Sequence, residues 1–130
     1  MTTTTQREDK VARSIVHCAY EVHRRLGPGL LESVYEACFC YELNKQGVQY
    51  RRQVAVPIVY DGVRFEECLR LDVLVEDLVV CELKSVEAMN PIFLAQILSH
   101  MKLSDKRLGL LINFNVILIK NGIRRVILKD

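Results

Sequence analysis

The segment that most restricts the fold of this chain is residues 70–85, which reads Arg-Leu-Asp-Val-Leu-Val-Glu-Asp-Leu-Val-Val-Cys-Glu-Leu-Lys-Ser. Two apolar runs flank an acidic dipeptide, a pattern typical of a β-hairpin. Three ionisable residues interrupt these runs: Asp72 in the first, and Glu82 and Lys84 in the second. Because residues two apart on a strand project from the same face, Glu82 and Lys84 are expected to share one side of the sheet.

The length of the turn decides whether Asp72 joins them. A two-residue turn would send Asp72 to the face opposite Glu82. A three-residue loop over residues 76–78 would pair Asp72 with Glu82, and it would also pair Arg70 with Lys84. We favour the longer loop, in which the two carboxylates lie about 5 Å apart at Cβ. It collects the polar groups on one face and leaves these apolar residues on the other: Leu71, Val73, Val79, Cys81 and Leu83.

Two adjacent carboxylates repel each other and are costly on a half-buried sheet face unless a cation compensates. The cation could be Lys84, which would make this a structural ion pair. It could instead be a divalent metal such as Mg²⁺, whose oxygen ligands lie at about 2.0–2.1 Å. Lys84 would then be free to orient a water or to stabilise charge developing on a phosphate. The residues of the hairpin leave both interpretations open.

Length and composition favour one domain over residues 1–130, because half of the residues are hydrophobic but the chain is too short for a separate recognition domain. The net charge of +2 permits an anionic partner without requiring one. The chain starts without a signal-peptide pattern and has no run of about 18 apolar residues, so we expect a cytoplasmic protein with no membrane partner. The five cysteines are expected to be reduced thiols in the core.

Periodicity and turn signals divide the chain into helices and strands. Thr5-Gln-Arg-Glu8 fits a capping box that begins a helix, after residues 1–4, which we expect to be frayed. The pattern predicts further elements in this order: a helix over residues 31–45, a three-strand meander over 53–84 with Pro57 at an edge or bulge, a helix from Asn90-Pro91 to Leu103, a buried strand over 107–114, and a hairpin of 116–119 with 123–128 around Asn121-Gly122. On the third helix we expect Ile92, Ala95 and Leu98 to face the core, with Met101 as a further candidate.

Several of these motifs resemble a known family. The Asp…Glu-x-Lys hairpin resembles the core of the PD-(D/E)xK nuclease superfamily, and Gly29-Leu-Leu-Glu-Ser-Val-Tyr35 resembles the motif of the GxxExxY proteins. Segments 82–85, 95–98 and 109–114 match as well, over about residues 10–128. The resemblance implies an α/β fold with a restriction-endonuclease-like αβββαβ core, a mixed sheet flanked by helices, an extra N-terminal helix and a C-terminal β-hairpin.

The resemblance also implies roles for individual residues. Asp72 and Glu82 would bind Mg²⁺ or Mn²⁺, with the Leu83 carbonyl as a further ligand. Glu32 would complete the metal shell directly or through water.

Two further residues complete the implied catalytic set. Lys84 would position the attacking water and offset charge on the phosphate, and Gln96 would hold the lysine or a water. The implied function is metal-dependent hydrolysis of phosphodiester bonds in DNA or RNA. Two alternatives remain open: a non-catalytic module of the same fold that binds nucleic acid or a protein, and a metal-dependent phosphoester hydrolase acting on a small molecule.

A nucleic-acid partner requires a positive surface. With no aromatic-rich basic platform in the sequence, we expect phosphate contacts and little reading of bases. The small size favours a homodimer or a partner subunit if a specific site is recognised. The candidates for phosphate contact are Arg24-Arg25, Arg51-Arg52, Lys102, Lys106-Arg107 and Arg124-Arg125.

Overall fold

The structure is a computed structural model, and it describes residues 4–129. Of the frayed start predicted for residues 1–4, residues 1–3 lie outside the described part, and Thr4 donates a hydrogen bond to Asp9. The capping box at Thr5 is confirmed. The elements are helices α1 (Gln6–Leu26) and α2 (Glu32–Lys45), strands β1 (Tyr50–Tyr60), β2 (Val63–Val75) and β3 (Val79–Lys84), helix α3 (Pro91–Leu103), strand β4 (Leu108–Asn113), a short 3₁₀ helix (Ile119–Asn121) and strand β5 (Ile123–Ile127).

The strands form one mixed sheet in the order β1-β2-β3-β4-β5. Neighbouring strands run antiparallel except β3 and β4, which are parallel and are connected through α3. Helices α1 and α2 pack on one face of the sheet, and α3 packs on the other. The α/β fold with a mixed sheet flanked by helices is therefore confirmed, as is the position of Pro57, which lies on the edge strand beside a register shift.

The β2–β3 hairpin has the predicted loop length. Val75 pairs with Val79 across a three-residue loop in which Glu76 and Asp77 have φ angles of 53° and 55°. In this register Asp72 comes opposite Glu82, directly after the last recorded backbone pair.

Two details of the predicted hairpin are wrong. Arg70 pairs with β1 rather than with Lys84, because the pairing of β2 with β3 ends before these residues. Leu71 packs in the cluster on the α3 face and does not share the face of Val73. Side chains point to alternate faces of a sheet only where the backbone stays extended. Gln53, which lies on β1 between the residues that pair with Val73 and Leu71, has a φ of 50° and interrupts the regular pairing there.

The C-terminal hairpin is formed by β4 and β5, and the strand predicted over residues 116–119 is absent from the described chain. Asn121-Gly122 does not form a hairpin turn, since Gly122 has a φ of −99°. Its backbone instead lies against Asn113, whose N–H donates to the Gly122 carbonyl at 2.8 Å. A Cβ at position 122 would come within 2.1 Å of the Asn113 oxygen, so glycine is required here for close approach.

Helix α3 buries only part of the predicted stripe, since Met101 and, in part, Leu98 pack against the sheet. Ile92 is 52% exposed and Ala95 is also exposed, whereas Ile97 and Met101 are fully buried. Gly109 on β4 explains the preference, because a Cβ there would lie 2.7 Å from the Met101 sulfur. The helix therefore approaches the sheet where β4 has no side chain.

Two predictions about the whole chain can be compared with the structure. All five cysteines are free thiols, and Cys18, Cys40 and Cys81 are buried. Among residues 4–129, no helix is long and apolar enough to cross a membrane.

Candidate active site

Asp72 and Glu82 lie side by side where β2 and β3 stop pairing. Asp72 Oδ2 accepts a hydrogen bond from the Leu83 N–H at 2.8 Å, and the Asp72 N–H donates to Glu82 Oε2 at 3.4 Å. Glu82 is only 6% exposed, and Asp72 is half-buried. The three-residue loop thus brings the two carboxylates together from neighbouring strands.

The pair is electrostatically unfavourable when both groups are ionised. Burial, reinforced by the neighbouring Asp72 carboxylate, raises the pKa of Glu82 to about 8. Glu82 therefore holds a proton at neutral pH unless a cation stabilises its charge.

Lys84 does not supply that cation by direct contact. Its ammonium lies over the ring of Phe93, 4.6 Å from the ring centroid. Lys84 takes part in no ion pair within residues 4–129. The geometry therefore disfavours the interpretation of this hairpin as a lysine–carboxylate ion pair.

His100 on α3 contacts the site and was missed by the sequence reasoning. Its Nδ1 forms a short hydrogen bond with Glu82 Oε1. Burial lowers the pKa of the imidazole. Phe93, Gln96 and His100 are spaced so that they share one side of α3, and this helical spacing is the signal that could have identified the histidine. Gln96, which is exposed, lies on this side between two residues that contact Lys84 and Glu82.

Glu32 is connected to the end of β3 through the loop that precedes α2. It is the first residue of α2, is exposed, and belongs to a helix on the opposite face of the sheet from α3. The preceding loop is fixed to the end of β3, because Ser85 Oγ donates to the Leu30 carbonyl at 2.5 Å.

Tyr35 organises the loop before α2. Its hydroxyl donates to the Gly27 carbonyl at 2.6 Å and accepts from the Leu30 N–H at 3.1 Å. The ring is fully buried and stacks on Phe114, with centroids 4.6 Å apart. Tyr35 thus holds the loop backbone, and its hydroxyl binds no carboxylate.

The sequence matches the model of one known protein family. The model of the PD-(D/E)XK nuclease superfamily matches residues 9–126, most of the chain. This chain belongs to the PD-(D/E)XK nuclease superfamily. No curated protein matches it, and no solved structure does either.

Nucleases of this superfamily generally use divalent metal ions, which are bound by carboxylate, imidazole or thiolate side chains. Within residues 4–129, no three or more His, Cys, Asp and Glu side chains are grouped closely enough to hold a metal ion. Mg²⁺, however, is usually held by one or two carboxylates and keeps several waters. Asp72 and Glu82 offer such oxygens, and the pKa of Glu82 stays raised by burial and by Asp72 although the charge of Lys84 lowers it in part. The residues fit a Mg²⁺ bound largely through water.

Most of the basic residues predicted to contact phosphate are engaged within this nuclease-superfamily domain. Lys102 and Arg124 form no ion pair with any residue in the described range, and both are exposed. The engaged pairs are Arg24 with Glu21, Arg25 with Glu21, Arg51 with Asp77, Arg52 with Glu36, Lys106 with Asp77 and Arg125 with Asp9.

Proposed function

We propose that this protein is a metal-dependent nuclease that hydrolyses phosphodiester bonds of DNA, or of RNA. The observation that supports the proposal most is the arrangement of Asp72, Glu82 and Lys84. Two carboxylates lie together at the end of the hairpin, and the adjacent lysine does not neutralise either of them. In a structural ion pair, the Lys84 ammonium would instead contact one of the two carboxylates.

In this proposal, Asp72 and Glu82 hold Mg²⁺ or Mn²⁺, with the Leu83 carbonyl as a further ligand. The bound ion supplies a Lewis acid and an activated water. Glu32 contributes through a water, which is consistent with its exposed position at the start of α2.

The remaining two residues act on the substrate side. Lys84 orients the attacking water and offsets negative charge on the phosphate. Lys84 is half-exposed, and its ammonium is held over Phe93 by a contact that leaves its N–H donors available. Gln96 shares the face of α3 that reaches Lys84 and His100, and it holds the lysine or a water.

We also propose that the chain is related to the GxxExxY proteins within the superfamily. The residues Gly29, Glu32 and Tyr35 support this relation, because they lie together at the loop that Tyr35 fixes and that Ser85 connects to β3. Phosphate contacts by Lys102 and Arg124, and a homodimer or a partner subunit for recognition, belong to the same proposal.

The test is cleavage of single-stranded and duplex DNA and RNA with Mg²⁺, Mn²⁺ or EDTA. Wild type is compared with Glu82→Gln and Lys84→Ala. Matched controls are Glu42→Gln, which changes a carboxyl that is also buried, and Lys45→Ala, which removes a lysine that pairs with Glu42. Metal-dependent cleavage that is lost in the first two variants and retained in the controls is expected.

A second function is favoured by one observation. Since residues 4–129 contain no group of three metal-ligating side chains, a non-catalytic module that binds nucleic acid through phosphates is the alternative. Binding that weakens with salt and is not accompanied by cleavage would select the module. Cleavage of small phosphoesters but not of polymers would select a small-molecule hydrolase.

A further inference from the structure

We propose that His100 is a positioning residue of this site, which fixes the Glu82 carboxylate through Nδ1 and does not bind the metal itself. The inference rests on the proposed function and adds a residue of α3 to it. It is carried by the hydrogen bond between His100 Nδ1 and Glu82 Oε1.

The two oxygens of Glu82 have different surroundings. Oε1 faces His100, and Oε2 faces the Asp72 backbone N–H at 3.4 Å. A glutamate side chain has several rotatable bonds, and a buried carboxylate is held in one orientation only if its oxygens are bonded. The short contact with His100 fixes Oε1, so that Oε2 is the oxygen directed towards Asp72. A cation shared by the two carboxylates would use that oxygen.

His100 is itself well placed to act as a rigid support. It lies in the last turn of α3 next to Met101, which is fully buried against the sheet. Its carbonyl accepts a hydrogen bond from Ser104 Oγ at 2.6 Å, which strengthens this end of the helix. Two turns earlier on the same side of α3, Phe93 lies under the Lys84 ammonium. One face of α3 therefore holds both Glu82 and Lys84.

The geometry opposes direct metal binding by His100. Its Nδ1 is occupied by a carboxylate oxygen, and a metal bound there would have to replace that contact. When Glu82 is ionised, the contact requires a proton on Nδ1, because only an N–H can donate to a carboxylate. The other ring nitrogen, Nε2, then has no proton and could in principle bind a metal, but within residues 4–129 no three His, Cys, Asp or Glu side chains are grouped to hold one, so His100 does not join Asp72 and Glu82 as a third ligand. Groups that orient metal ligands in this way typically change metal affinity about 10- to 100-fold when they are removed.

Two substitutions distinguish these roles. His100→Asn places an amide nitrogen close to the position of Nδ1 and retains a donor, whereas His100→Leu retains bulk and removes the donor. We expect calorimetric titration with Mn²⁺ to show an affinity about 10- to 100-fold weaker for the Leu variant and within about threefold of wild type for the Asn variant. The control is His23→Leu, since His23 bonds to the Val116 carbonyl at 2.7 Å on the other side of the sheet. Its Mn²⁺ affinity should be unchanged.

Each other outcome overturns the inference. An unchanged affinity in His100→Leu would show that the histidine is only structural. An equal loss in the Asn and Leu variants would show that it binds the metal. If wild type binds no Mn²⁺ and cleaves nothing, the proposed function fails and the positioning role fails with it. A wild type that binds Mn²⁺ normally, together with an insensitive Leu variant, refutes the positioning role alone.

A measurement on the wild-type protein covers the case in which the Leu variant does not fold. In the Mg²⁺-loaded protein, ¹⁵N NMR of the imidazole should show the proton of His100 on Nδ1 and should show Nε2 at the chemical shift of an unprotonated nitrogen that binds no metal. A proton on Nε2 instead would mean that Nδ1 is bound to the metal or accepts from another group, and it would overturn the inference.

Discussion

Replacing Glu82 with Gln should make the metal-free protein more stable at high pH. The substitution retains the size of the side chain and a polar partner for His100, but it removes the charge that burial and Asp72 oppose. Because the pKa of Glu82 in the folded protein is raised, its contribution to stability is fully present below its ordinary pKa of 4.5. That contribution is lost as the pH rises towards about 8.

The size of the effect follows from the shift. Between these two values the unfolded state loses a proton that the folded state retains, so the free energy of unfolding falls by about 1.4 kcal/mol per pH unit. Over the whole window the loss is on the order of 5 kcal/mol. Burial lowers the pKa of His100, so its own titration is displaced towards the acidic side of the window.

The assay is urea denaturation in EDTA at several pH values from 5 to 9. The difference in unfolding free energy, Glu82→Gln minus wild type, should increase with pH and become constant above about pH 8. Glu42→Gln is the control, because Glu42 is also buried but has Lys45 at 3.5 Å to stabilise its charge, and no such gain is expected. Parallel profiles for wild type and Glu82→Gln would refute the reasoning. At pH 8, added Mg²⁺ should stabilise wild type only.

Three further predictions concern neighbours of the site. Phe93→Leu removes the aromatic face under Lys84 and should slow cleavage about two- to fivefold at saturating Mg²⁺, whereas Tyr41→Leu, which removes a ring 5.5 Å from Lys45, should leave the rate unchanged. Tyr35→Phe leaves two backbone groups of the loop without their partner and should lower the free energy of unfolding by about 1–3 kcal/mol in urea, while the ring stacking persists. Gly122→Ala forces a methyl against a backbone oxygen and should lower the same quantity by about 1–3 kcal/mol, with a visible drop in Tm.

The hairpin could be predicted from the sequence because its determinants are local. Apolar runs on both sides of a three-residue loop allow few registers, and only one places Asp72 opposite Glu82. The order of helices and strands as far as β4 was also predictable, since caps such as Thr5 and Asn90 mark helix starts within a few residues. The resemblance to the PD-(D/E)XK nucleases then predicted how these elements are arranged in the fold.

Contacts between distant segments could not be predicted in the same way. Helix α3 is apolar on most sides, so periodicity pointed to Met101 but did not show that Ile97 is buried beside it. The face is chosen by the missing side chain at Gly109, on a strand that follows the helix. Helical spacing places His100 on the same side of α3 as Gln96, but its contact with Glu82 depends on which face packs against the sheet. The Asn121-Gly122 error has a similar cause, since the glycine is needed for a contact with Asn113 and not for a local turn.

The cost of the acidic pair is itself an argument for a cation at this site. Keeping Glu82 ionised beside Asp72 lowers stability by a few kcal/mol near pH 8, and a glutamine would avoid that loss. A ligand that binds only the folded state adds about 2.7 kcal/mol when its concentration is 100-fold above its Kd. A divalent ion bound to the two carboxylates would therefore offset about half of this loss, whereas Lys84, held over Phe93, lowers the pKa of Glu82 only in part. A buried acid that destabilises the fold in the absence of a cation is expected at a site selected for chemistry.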